Sequence, residues 1–74
     1  MKELAVIPKG RGLLMVHETE YMGYDLIDIR EHIRDDHGTL RPTRKGLSIS
    51  RRNFGEFADM IQEVRGRLEN GAGE

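Results

Sequence analysis

Seventy-four residues, with 12 Lys+Arg against 13 Asp+Glu and a formal net charge of -1, allow one small domain and give no global charge that favours a polyanionic partner. The chain has no cysteine, which excludes disulfides and thiolate zinc sites. A chain of this size buries only about 60% of the surface it exposes when unfolded, so its core needs help, and oligomerisation is the expected source.

Charged residues are 34% of the chain, but the signs balance, which argues against disorder driven by net charge. The opening "MKELAVIPKG" carries too short an apolar run for a signal peptide, and nothing approaches the ~20 apolar residues of a membrane span. The expected location is cytoplasmic and nucleoid-associated in a bacterium, with a nuclear one as the lesser alternative.

In chain order, Leu4 to Ile7 is a short apolar strand stopped by Pro8, and "PKGRG" is a turn. Leu13 to Val16 starts a second strand that ends near Thr19. Gly23, between Tyr21 and Tyr24, marks a hairpin connection. From Tyr24 to Ile33 the alternation is clearest: Ile27, Ile29 and Ile33 share one face, and Leu26, Asp28, Arg30 and His32 the other. "RDDHGT" is a turn by composition. Pro42 cannot donate to a ladder, so the segment before Arg44 is an edge or a loop, and Gly46 to Ile49 forms the last short strand.

After Ser50 the period changes. Phe54, Phe57, Ala58, Ile61, Val64 and Leu68 recur at the spacing of an amphipathic helix, with Ser50 as its expected N-cap and Asn70-Gly71 as its stop. Residues 71–74 are expected to fray. Gly55 and Gly66 weaken this helix by roughly 1 kcal/mol each relative to alanine, so it must lean on packing. The residues thus give three or four strands followed by one helix, an α+β order. One helix against one sheet face would leave the other face for a ligand.

The chemistry-bearing features are few. Arg41, Arg44, Lys45, Arg51 and Arg52 form a local basic run, and Arg41, Arg44 and Lys45 lie close enough in sequence to converge on a phosphate backbone. The bland alternative is a solvated loop offset by Asp35 and Asp36. Arg51 and Arg52 stand in the first helical turn, where simple solvent exposure is the default and anion binding the alternative. His32, Asp35, Asp36 and His37 are metal-ligand types, but adjacent aspartates with a histidine are ordinary turn composition, so no metal or other cofactor is expected. There is no activated-nucleophile motif, no phosphate loop on a strand-to-helix turn and no carboxylate pair in a pocket. An enzyme is not expected.

"DIRE" at Asp28 to Glu31, then "RPTRKGLS" at Arg41 to Ser48, then a helix, resembles the positive-cofactor-four family of transcriptional coactivators, over about Gly23 to Leu68. The resemblance implies a β-β-β-β-α domain, a four-stranded antiparallel curved sheet followed by one C-terminal helix, dimeric through its helix, that binds single-stranded DNA along its sheet. It places a base-stacking aromatic at Tyr21 and backbone-contacting cations at Arg30, Arg41, Arg44 and Lys45; Tyr24, at the same hairpin tip, is a further candidate. It places the dimer contact on Phe54, Phe57, Ile61, Val64 and Leu68. Relatives of the eukaryotic coactivator carry tryptophan where this chain has Ile33, and lysines where it has Met22 and Tyr24. A minimal bacterial or phage version is the expectation.

The expected function is therefore sequence-nonspecific single-stranded DNA binding by a homodimer, in transcription, replication or repair, with transcription machinery as a possible further partner. The alternatives are an RNA-preferring protein of the same fold, a dimeric protein–protein adaptor that has lost DNA binding, and a metalloprotein built on His32 and His37.

Overall fold

A computed structural model describes residues 2–70. Four strands, β1 (Lys2–Lys9), β2 (Gly12–Tyr21), β3 (Tyr24–Arg34) and β4 (Leu40–Ser50), form one antiparallel sheet in the order β1-β2-β3-β4. A single 3-10 turn, Arg51–Asn53, leads into the helix α1 (Phe54–Glu69). The expected four-stranded curved sheet followed by one helix is the observed architecture. The expected stop at Asn70-Gly71 lies at the edge of the described residues, and the frayed tail 71–74 lies outside them.

The strands are longer than their apolar cores suggest. β1 runs through Pro8 to Lys9, because β1 is an edge strand and a residue there need not donate to a neighbour on both sides. β2 continues past Thr19 to Tyr21, where it meets Tyr24 across a two-residue turn. β4 is a continuous strand from Leu40, not a loop followed by four residues. It is the other edge of the sheet, so Pro42 is accommodated there.

The period of two divides the sheet into two faces. On one, Met15 and His17 of β2 stand opposite Arg30 and Asp28 of β3, with His32 and Tyr24 further along the same face. On the other, Val16 pairs with Ile29, which pairs in turn with Leu47, and Ile27 pairs with Ile49. Burial is sparse: Met15 and His32 on the first face and Ile27 on the second are the buried residues among those described.

The helix departs from expectation in two ways. Ser50 makes no side-chain capping bond; the chain enters α1 through the 3-10 turn, and the Ser50 hydroxyl is buried without a partner. Nor does α1 cover a face of the sheet. It buries no residue, and Ile61, Val64 and Leu68 are 49%, 45% and 69% exposed. The molecule exposes 6240 Å², whereas a compactly folded chain of 8.5 kDa exposes about 4,700 Å².

One backbone position is strained. Both residues of the β2–β3 turn have positive φ, Met22 at 52° and Gly23 at 84°, as a type I′ turn requires. Gly23 adopts this freely, but a long side chain in the left-handed region costs about 1–2 kcal/mol. Met22→Asn is therefore expected to raise unfolding stability by about 1 kcal/mol, read as a higher urea midpoint with an unchanged slope.

Candidate nucleic-acid interface

The basic stretch Arg41 to Lys45 is shaped by a bulge. In register, His32 pairs with Pro42 and Arg30 pairs with Gly46, so the one residue of β3 between these pairs is matched by three of β4. Thr43, Arg44 and Lys45 are thus left facing Glu31 alone. Such an insertion breaks the ladder locally and re-aims side chains.

Three bonds pin it. Arg30 Nη1 donates to the Thr43 carbonyl oxygen at 3.0 Å, Thr43 Oγ1 donates to the Glu31 carbonyl oxygen at 3.0 Å, and the Lys45 N–H donates to Thr43 Oγ1 at 3.1 Å. Gly46 closes the bulge because nothing larger fits: a Cβ there would lie 2.5 Å from the Ile29 carbonyl oxygen and 2.8 Å from Arg30 Cα. Arg44 and Lys45 are exposed and have no ion-pair partner among the described residues.

The other expected cations are differently employed. Arg30 is half-buried and grips Asp28 side-on, Nε to Oδ2 at 3.1 Å and Nη2 to Oδ1 at 3.0 Å. Ser48 Oγ donates to the same carboxylate at 2.8 Å. Arg30 therefore holds the framework of the bulge. Arg41 is exposed, but its Nε is paired with Asp35 Oδ2 at 2.8 Å. Arg51 pairs with Glu18 at 2.5 Å, and Lys9 with Glu31 at 2.7 Å.

Asp35 is the anchor of the β3–β4 turn. Its Oδ1 accepts from the backbone N–H groups of His37 and Thr39 at 2.9 and 3.0 Å. His32 lies on the sheet with Nδ1–H donating to the Arg30 carbonyl oxygen at 3.2 Å, apart from that turn. The four candidate metal ligands thus do not form one cluster, and among the described residues no group of three such side chains is positioned to hold an ion.

At the far end of β3, Tyr21 and Tyr24 form the last rung of the β2–β3 hairpin and are 66% and 70% exposed. Tyr24 and Arg30 share a face, six residues and about 20 Å apart. Between the tip and the start of the helix lies a cavity of about 330 Å³ lined by Gly23, Tyr24, Asp25, Ser50, Arg51 and Arg52. Ile33, by contrast, pairs with Arg41 on the opposite face from Arg30.

Sequence reasoning missed the bulge and the structural use of Arg30. The one signal was the spacing: "RPTRKG" has too many residues between Pro42 and Gly46 for a strict pairing with "REH". It also missed the meeting of His17 and His32, whose rings lie 5.5 Å apart, because they come from different strands.

Three carboxylates are held below their ordinary range. For Asp28, burial pushes upward, but bonds from Arg30 and Ser48 and the charges of Arg30 and His17 outweigh it. The Lys9 bond lowers Glu31, and the Arg41 bond with the Thr39 N–H lowers Asp35. Each contributes stability that is fully present above its ordinary value, 3.8 for the aspartates and 4.5 for Glu31, and is lost as pH falls through the lowered folded value. Melting temperature is expected to be flat with respect to these groups from neutrality to about pH 5 and to fall below it. Asp28→Asn is expected to flatten that acid slope while lowering stability at pH 7.

The family model for Transcriptional Coactivator p15 (PC4) matches residues 14–60, well over half of the chain. The matched span runs from β2 through the bulge into the first turns of α1.

Proposed function

The chain belongs to the transcriptional coactivator p15 (PC4) family, a family associated with single-stranded DNA binding and transcription coactivation, and on that footing we propose that it binds single-stranded DNA as a homodimer without sequence preference in its main contacts. The observation that carries the reading is the pinned bulge, which displays Arg44 and Lys45 on a rigid edge with no ion pair among the described residues. A phosphate backbone laid along that edge meets two cations whose positions are fixed before binding. That lowers the ordering cost of the complex.

Tyr21 and Tyr24 supply the second element of a single-strand site, ring faces on which bases stack at about 1–3 kcal/mol each. Arg30 contributes mainly through the bulge, and Arg41 must share its charge with Asp35. No catalytic step is assigned to this surface. Transcription machinery is a second class of partner, consistent with the family.

The dimer is supported by what the single chain leaves uncovered. Its excess of roughly 1,500 Å² over a compact chain exceeds the ~800 Å² per partner of a standard interface. The apolar stripe Phe54, Phe57, Ile61, Val64 and Leu68 runs along a helix that buries nothing by itself. A two-fold contact would set this stripe against its own copy.

Two measurements test the proposal. In anisotropy titrations across a salt series, Arg44→Ala with Lys45→Ala is expected to weaken binding alike for all single-strand sequences. It should make the salt slope shallower by about 1.4, since each phosphate neutralised on a single strand contributes about 0.7. Unchanged affinity and slope would move the site elsewhere, and tighter binding to RNA or duplex would change the ligand. In sedimentation, the wild-type chain is expected to run as a dimer and Val64→Glu as a monomer, because the stripe would have to bury a charge.

A further inference from the structure

The face that carries the tyrosines also carries a cavity of about 520 Å³, lined by Met15 and His17 of β2, Asp28, Arg30 and His32 of β3, and Leu40 and Pro42 of β4. Its composition is mixed in a particular way. Met15, Leu40 and Pro42 are apolar and Met15 is buried. His17 and His32 offer two flat rings tilted by 52°, and one charged pair stands among them. An apolar surface with a few convergent polar groups is the ordinary make-up of a site for a small planar ligand.

The hydrogen-bonding inventory narrows the ligand. Arg30 has five N–H donors. Its Nε and one N–H of Nη2 go to Asp28, and one N–H of Nη1 goes to the Thr43 carbonyl oxygen. One N–H remains on each terminal nitrogen. Asp28 is largely saturated, with Oδ1 accepting from Arg30 and Ser48 and Oδ2 from Arg30. The charged pair therefore presents donors, and what enters must present acceptors. Among the bases, guanine carries two adjacent acceptors, O6 and N7, on one edge, and arginine is their usual partner. On that same edge adenine puts a donor beside its N7, thymine has one acceptor with a methyl group beside it, and cytosine has a donor and no acceptor. Cytosine's own adjacent acceptors, O2 and N3, are on its Watson–Crick edge, which makes the cytosine oligomer the sharpest comparator.

We infer that this cavity is a base-selective subsite for one guanine of the bound single strand. The base lies on Met15, Leu40 and Pro42 against the paired imidazole rings of His17 and His32, which touch each other and form one wall, with Arg30 reading its O6 and N7. The inference rests on the single-strand reading above and adds to it. The strand runs from the tyrosine tip along β3, and four to six residues of strand, about 13–20 Å, separate Tyr24 from Asp28 and Arg30. Affinity from the bulge and the tyrosines is blind to sequence, whereas this one position is not.

The test uses the full chain and two probes. Labelled thymidine oligomers that differ only in one central base are compared by anisotropy. The oligomer with guanine is expected to bind at least about fivefold more tightly than those with adenine, cytosine or thymine. His17→Ala, which removes one ring of that wall, is expected to shrink that gap. In parallel, 5′-GMP is titrated while the imidazole NMR signals of His17 and His32 are followed, with 5′-AMP, 5′-CMP and 5′-TMP as comparators. Both signals are expected to move for GMP first.

Tight binding of all four oligomers within twofold, with no GMP-selective shift, overturns the subsite and leaves the single-strand function standing. Failure of every oligomer to bind removes the single-strand function. In that case a GMP-selective shift would uphold the pocket by itself, and its absence would remove the pocket too.

Discussion

One guanidinium organises the sheet. Arg30 sits at the centre of β3, grips Asp28 two residues away on its own strand, and reaches across to the Thr43 carbonyl on β4. Backbone polar groups in a bulge lose their ladder partners, and a half-buried carbonyl without a partner is costly. Arg30 fills that vacancy with a charge-assisted bond. Asp28 and Ser48 in turn fix where the guanidinium points. The display of Arg44 and Lys45 and the shape of the cavity beside His32 follow from that placement, while glycine at position 46 is required by the close backbone of Ile29 and Arg30.

A second constraint is the shortage of core. The sheet is a single layer, and the extents of the molecule, 44 × 33 × 18 Å, are those of a slab. A slab has two faces, and 74 residues do not cover both. The helix that would ordinarily cover one of them is amphipathic yet buries nothing within the chain. The aliphatic side of the sheet is likewise part-open, with Ile7 and Leu47 exposed. These features leave the single chain with apolar surface that it does not cover, which is the ground for the dimer proposed above.

Much of this was legible in the residues. Alternation assigned the inward isoleucines of β3, the change of period after Ser50 located the helix, and "DIRE" with "RPTRKGLS" pointed to the family. What was not legible is instructive. The bulge was hidden because proline and paired basic residues read as loop chemistry, whereas at a sheet edge the same residues sit within an irregular strand. The structural part played by Arg30 was hidden because sequence shows a charge and not the carboxylate and carbonyl to which it also donates. Ser50 has the composition of an N-cap, but its backbone leads into a 3-10 turn and its hydroxyl caps nothing. The candidate metal set dissolved because neighbours in sequence, His32 and His37, belong to a strand and a turn.

The meander topology also bears on how the molecule comes into being. Every strand pairs only with its neighbours in sequence, through turns of two, two and five residues. Closing such short loops costs little chain entropy, and the mean sequence separation of contacts stays low for a protein built mostly of strands. The sheet can therefore zip outward from the β2–β3 hairpin without waiting for distant segments to meet. In the dimer proposed above, the slow, concentration-dependent stage of maturation would lie outside the sheet, at the encounter of the two helices. During synthesis the four strands emerge before the helix does, so the apolar stripe meets solvent only after the sheet's residues have.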